Sequence, residues 1–258
     1  MASTLFVRSA LRAAQTAARV PRVARVAPAF ASARLFSSTK LAFDQPRLRL
    51  GSTAPNFSAD STHGPIDFHE FIGDKWTVLF SHPADFTPVC TTELGAFAQL
   101  EPEFAARGCK LIGLSVDAIG HHAEWIKDIE EVATNGAKVG FPIVADPDRK
   151  IALLYDMIDE KDIGDVSKAF TIRSVFVIDP SKKIRLTMLY PASTGRNSAE
   201  VLRVLDGLQT ADKNGIATPI NWTPGGDVII PPTVSDADAK AKFGEFNAVK
   251  PYLRYTKV

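Results

Sequence analysis

Trp76-Thr77-Val78-Leu79-Phe80-Ser81 is an apolar run of strand length, and it leads through the loop His82-Pro83-Ala84-Asp85-Phe86-Thr87-Pro88 into helical spacing from Val89 to Ala106. The helical stretch places Leu94, Phe97, Ala98, Leu100 and Phe104 on one side, and Gly108 stops it. A buried strand that feeds a helix through a short loop is the repeating unit of α/β domains. Cys90 then falls in the first turn of that helix.

Outward from this unit the same alternation continues. Lys110 to Asp117 reads as the next strand, Ala123 to Ala133 as a helix, Phe141 to Ala145 as a short strand, and Asp148 to Met157 as a helix with Asp148 near its start. A polar loop leads to strands Ser174 to Asp179 and Ile184 to Tyr190, joined by the turn Pro180-Ser181-Lys182-Lys183. The helix Ala199 to Ala211 closes the unit, with Val201, Leu202, Val204, Leu205 and Leu208 on its apolar side. The expected fold is therefore α/β, a central mixed sheet flanked by helices, over residues 48–212. Beyond it Pro219, Pro224, Pro231, Pro232 and Pro251 punctuate an aromatic-bearing tail, which reads as a small C-terminal domain over residues 213–258 that packs on another surface such as a partner subunit.

The chain has 258 residues, 45% hydrophobic, and a formal charge of +1, a composition that suits an ordinary globular core. No run of 18 or more apolar residues is present to span a bilayer, and the charge balance implies no nucleic-acid partner. That balance hides an asymmetry, since the first acidic residue is Asp44 and six arginines, Arg8, Arg12, Arg19, Arg22, Arg25 and Arg34, precede it. On a helix Arg8, Arg12 and Arg19 project to one side, with Phe6, Ala10, Ala13, Ala14 and Ala17 opposite. An amphipathic, arginine-rich, acid-free leader is the signature of a mitochondrial transit peptide, here residues 1–36, with cleavage near residue 36 or 37. Loss of those six arginines takes the formal charge from +1 to −5.

Only two cysteines occur, Cys90 and Cys109, and they form no Cys-x-x-Cys pair. That excludes a disulfide scaffold, a four-cysteine zinc site and a dithiol switch within one chain. A thiol in the first turn of a helix meets unpaired backbone N–H groups and the positive end of the helix dipole, both of which favour the thiolate. Full ionisation of a free thiol raises its rate only about 30-fold, so a fast thiol enzyme must also polarise its substrate. Thr87, one turn before the sulfur, can donate and accept hydrogen bonds. Pro83 adds a rigid apolar wall, and Arg173, at the mouth of its strand, is the candidate fixed cation. Cys109, between Gly108 and a strand, reads as a buried small hydrophobe. Adjacent His121 and His122 diverge by about 100° on a helix and do not suit one shared ion, so no metal site is expected.

Five blocks in order, Ser81 to Leu94, Lys110 to Asp117, Arg173 with Val175 to Asp179, Tyr190 to Asn197 and Tyr252 to Tyr255, resemble a one-cysteine peroxiredoxin of the mitochondrial type over nearly all of residues 48 to 258. The resemblance implies a thioredoxin-like fold, no bound cofactor, and reduction of hydrogen peroxide and organic hydroperoxides. It makes Cys90 the peroxidatic cysteine, with Thr87 and Arg173 holding the peroxide, Pro83 shielding the sulfur, and His82 and Glu93 supporting the pocket. It also implies a homodimer in the mitochondrial matrix. A C-terminal resolving cysteine is missing, so the sulfenic acid must be resolved by an external thiol from a glutathione, glutaredoxin or thioredoxin system.

Some relatives also hydrolyse phospholipids through a serine, a histidine and an aspartate. Here Lys75 and Ser181 stand at the serine and aspartate positions while His69 matches, so no lipase activity is expected. The competing reading is a redox-dependent chaperone or peroxide sensor, in which oxidation of Cys90 drives assembly and turnover stops after roughly one equivalent per thiol.

Overall fold

The structure is a computed structural model that describes residues 48–258; the leader reading of residues 1–36 lies outside the described residues. In chain order it contains β1 (Ser58–Ser61), β2 (Gly64–Asp67), α1 (Phe68–Ile72), β3 (Trp76–Ser81), α2 (Pro88–Ala106), β4 (Cys109–Ser115), α3 (Ile119–Val132), β5 (Ile143–Ala145) and α4 (Lys150–Leu154). A 3-10 segment (Glu160–Lys168), β6 (Arg173–Ile178), β7 (Ile184–Tyr190), α5 (Ser198–Asn214), β8 (Val228–Ile229), α6 (Asp236–Phe243), β9 (Asn247–Lys250) and β10 (Leu253–Thr256) complete it.

Seven strands form one mixed sheet in the order β2-β1-β5-β4-β3-β6-β7. β3 pairs in parallel with β4 and antiparallel with β6, so the strand that leads into the His82–Pro88 loop lies between two others. Its side chains alternate as the period of two requires. Val78 and Phe80 face a core shared with Phe97 and Phe104 of α2, Trp125 and Ile129 of α3, and Val201 and Leu205 of α5. Leu79 faces the opposite core with Phe68, Ile72, Ile112, Tyr155, Phe176 and Ile178. Helices thus cover both faces of the sheet, the expected α/β arrangement with a thioredoxin-like centre. A separate three-stranded sheet, β8-β10-β9, lies in the C-terminal segment, where Ile216, Trp222 and Val228 form a small cluster of their own.

The contact between α2 and α3 depends on one glycine. A Cβ at Gly95 would lie 2.5 Å from both the Cβ and the carbonyl oxygen of Ala133, a separation no side chain tolerates.

Of the element boundaries that differ from expectation, two are at helices α3 and α4. The helix expected over Asp148 to Met157 is only Lys150–Leu154, because Arg149 sits in the left-handed region at φ 59° and delays the first turn. The capping carboxylate is that of Asp146, which accepts from the amides of Ile151 and Ala152 at 3.2 and 2.7 Å. The second difference is at α3, which starts at Ile119 rather than Ala123 and thereby brings His122 into the helix. The turn after β6 matches its reading: Asp179 Oδ1 accepts from the amides of Ser181 and Lys183, both at 2.9 Å.

Candidate active site

Cys90 is the third residue of α2, and Pro88 opens the helix where a missing N–H costs nothing. Its sulfur is fully buried. Thr87 is the N-cap residue, but its hydroxyl donates to Ala84 O at 2.9 Å instead of capping the helix. That bond uses the only proton of the hydroxyl, so the oxygen is left free to accept. Thr91 Oγ1 donates back to Thr87 O at 2.8 Å and tightens the first turn. Pro83 lies half-buried in the loop, and the loop carries strain at Phe86, whose φ is 53°.

Arg173 begins β6, opposite Tyr190 of β7, and it does reach the cysteine. Its Nη1 lies 3.2 Å from Cys90 Sγ and 2.8 Å from Glu93 Oε2, while Nε and Nη2 donate to Ala192 O at 3.0 and 2.7 Å. Every one of these partners is fixed, so the guanidinium is held in a single orientation toward the sulfur.

Arg196 is the member of this buried group that residue-by-residue reading did not single out. It donates through Nε to Glu93 Oε1 at 3.0 Å, through Nη2 to Glu93 Oε2 at 2.8 Å, and through Nη1 to Ser81 O and Ser174 O at 2.8 and 2.9 Å. Its guanidinium also stacks over Phe80 and Phe97, with centroid distances of 5.3 and 5.7 Å. The signal available in the sequence was its place in the block Tyr190 to Asn197, the return of the chain after β7.

Glu93 therefore sits between two buried arginines. Burial works to raise its carboxyl, but the hydrogen bonds and charge of Arg196, with Arg173 behind them, outweigh burial and hold it below the ordinary range. Two guanidinium charges against one carboxylate leave one positive charge over beside the sulfur. An anion at Sγ balances it.

Cys109 does not join this group. It is buried on β4, its Sγ lies 3.6 Å from Lys110 O, and burial pushes its thiol up to about 12. His82, Asp85 and His122 form a second buried polar group whose ligand-type atoms lie within 4.8 Å of one another. They are already joined by hydrogen bonds, His82 Nε2 to Asp85 Oδ1 at 2.8 Å and His122 Nδ1 to Asp85 Oδ2 at 2.6 Å, which an ion would have to displace. His122 thus pairs across the fold and not with its neighbour His121. His69 Nε2 lies 2.7 Å from Ala54 O, and the Ser181 hydroxyl donates to Asp179 Oδ1 at 2.6 Å, so both side chains are engaged locally.

A buried thiol in the first turn of a helix, faced by an immobilised guanidinium at the end of a thioredoxin-type sheet, defines a thiol-dependent peroxidase. The chain belongs to the peroxiredoxins: the AhpC/TSA family matches residues 50–187, and the C-terminal domain of 1-Cys peroxiredoxin matches residues 207–245. The mitochondrial peroxiredoxin PRX1 of Saccharomyces cerevisiae is 59% identical over 231 residues, which cover 88% of each chain. A 1-Cys peroxiredoxin of Dictyostelium discoideum is 50% identical over 81% of this chain and 85% of its own. Among solved structures, yeast mitochondrial 1-Cys peroxiredoxin, described for its thiol resolving mechanism through glutathione/thioredoxin systems, superposes with a TM-score of 0.76 at 60% identity, covering 82% of this chain and all of that one. A cysteine-to-serine mutant of the peroxiredoxin 6 of Arenicola marina gives a TM-score of 0.77 at 45% identity, over 81% of this chain and 97% of that one.

Proposed function

We propose that Cys90 is the peroxidatic cysteine, that Arg173 polarises the peroxide, that Thr87 orients it by accepting its hydrogen bond, and that Pro83 keeps water from the sulfur. The observation that carries this reading is the 3.2 Å approach of Arg173 Nη1 to Cys90 Sγ. In the first half-reaction the Cys90 thiolate attacks one peroxide oxygen. An S–O bond forms, the O–O bond breaks, and the departing oxygen leaves as hydroxide or alkoxide and takes a proton from water. Arg173 stands where charge develops on those oxygens, so its donor strengthens in the transition state more than in the ground state.

The second half-reaction needs two external thiols. The first attacks the sulfenic acid, giving a mixed disulfide and water; the second displaces Cys90 as thiol and leaves as the external disulfide. Cys109 is a poor internal substitute, because burial keeps its thiol protonated. By likeness to the yeast mitochondrial protein, the thiols come from a glutathione or a thioredoxin system. The same likeness and the basic leader support a mitochondrial protein working in the matrix, with residues 1–36 removed on import and 213–258 acting as a C-terminal domain. We also assign a homodimer, supported by the outer edge of β7, which pairs with no further strand among the described residues.

The test is peroxide turnover by the purified protein, with the glutathione–glutaredoxin and thioredoxin systems compared side by side. Cys90→Ser abolishes turnover and Cys109→Ser leaves most of it. Equal loss in both variants overturns the one-cysteine mechanism.

A further inference from the structure

Helix α3 is tied to the chain on both sides of Cys90. His122 Nδ1 donates to Asp85 Oδ2 at 2.6 Å, five residues before the cysteine, while His122 Nε2 lies 3.3 Å from Val144 O of β5. One turn along the same face, Trp125 Nε1 donates to Thr91 Oγ1 at 3.1 Å, the residue just after the cysteine. Asp85 is held in turn from other directions, by His82 Nε2 and through its own amide, which donates to Asp117 Oδ2 at 3.0 Å. His82 and His122 are fully buried and Asp85 nearly so. Burying these groups is costly unless each is paired, and here the pairing ties down a loop strained at Phe86.

We propose that His122 and Trp125 are positioning residues for peroxide reduction, making α3 a brace that holds the Pro83–Thr87 loop and the first turn of α2 closed around Cys90. The inference rests on Cys90 being the peroxidatic cysteine. The two half-reactions make opposite demands on the brace. Peroxide is small and needs the closed pocket, whereas a thiol reductant must reach a sulfur with 0% exposure and needs the first turn to open. The brace therefore speeds oxidation of Cys90 and slows its reduction.

The experiment follows both steps in single turnover on the purified protein: oxidation by hydrogen peroxide, and reduction of the sulfenic acid by glutathione. His122→Leu, which fills the space without a donor, lowers the oxidation rate about tenfold or more and raises the glutathione step severalfold. His122→Asn, whose amide nitrogen can replace the Nδ1 donor, returns both steps to within about threefold of the parent. Trp125→Phe, which keeps the ring but removes the donor to Thr91, moves both steps in the same directions as His122→Leu by a smaller factor, and it carries the test if His122→Leu does not fold. Rates that fall together, a step that does not move, or an Asn variant no better than Leu overturn the proposal. Cys90→Ser in the same assay decides the underlying reading separately, so the two can fail independently.

Discussion

Arg196 grips Glu93 at two points, Nε on Oε1 at 3.0 Å and Nη2 on Oε2 at 2.8 Å, and its backbone amide adds a third bond to Oε1 at 2.7 Å. Oε2 also takes Arg173 Nη1, so the carboxylate joins both arginines and holds Arg173 toward the cysteine. Glu93→Gln removes the carboxylate that two buried guanidinium groups share and leaves at most the sulfur anion to oppose them, a loss of about 3–5 kcal/mol when one partner of a buried pair is removed. Arg173 loses its aim as well. The expected result is a fall of about 10²–10³ in kcat/KM for hydrogen peroxide together with a lower Tm, measured by steady-state kinetics and calorimetry. Arg196→Lys should give a smaller loss of the same kind, since an ammonium cannot make the planar two-point contact.

The two cysteines should differ sharply toward peroxide. Burial pushes the Cys109 thiol up to about 12, so only about one molecule in 10⁵ is thiolate at that site at pH 7. Stoichiometric hydrogen peroxide followed by a sulfenic-acid probe and peptide mass spectrometry should label Cys90 alone. Cys109→Ala should change stability by about 1 kcal/mol and leave peroxide turnover within twofold, the ordinary outcome of trimming a small core side chain. Labelling of Cys109 in the folded protein contradicts this.

The parts legible in the sequence were those with a local signal. β3 announces itself as an apolar run and α2 as a helical pattern after a loop with two prolines, so the position of Cys90 followed from neighbours within twenty residues. Arg173 stood out only as a cation at the mouth of a strand, because its 80-residue separation from Glu93 leaves no spacing that places it beside Cys90. Arg196 lies 103 residues from the carboxylate it grips and on a segment without regular structure, so nothing local marks it as buried. The His122–Asp85 contact was hidden for another reason. Two adjacent histidines suggested a comparison with each other, whereas burial of one helix face separates them and turns His122 toward the loop 37 residues away.

His82 predicts how stability depends on pH. Burial lowers its pKa below the ordinary 6.5, against the opposing pull of Asp85, so the folded protein keeps the ring neutral where the unfolded chain takes up a proton. The unfolded state then binds more protons, and acid favours unfolding. Stability from this residue is complete above about pH 6.5 and declines as pH falls below it. Urea unfolding should show a midpoint that is level from pH 8 to 7 and drops between about pH 6.5 and 5, before the carboxylates titrate. His82→Gln, whose amide nitrogen can still donate to Asp85, should lower stability at pH 7 but flatten the slope in that window. An unchanged slope contradicts the assignment to His82.

The two edges of the main sheet are treated differently, and that difference predicts the assembly. The β2 edge is four residues long and contains Pro65, two devices that discourage pairing with another strand. The β7 edge runs for seven residues without proline, and its one charged side chain, Arg185, is turned onto Asp212 by contacts of 2.6 and 2.7 Å. Leu186 to Tyr190 therefore offer an uncharged strand, with Leu189 57% exposed. Sedimentation velocity at micromolar concentration should give a dimer for the parent protein. Leu189→Lys places a charge on that edge at a side chain already in water, so it should alter the stability of one subunit by no more than about 0.5 kcal/mol. In a dimer joined through β7 the same change sets two like charges against each other across the edge, and the weight-average mass should move toward that of the monomer. A parent that sediments as a monomer, or a Leu189→Lys variant that stays dimeric, places any subunit contact elsewhere on the molecule.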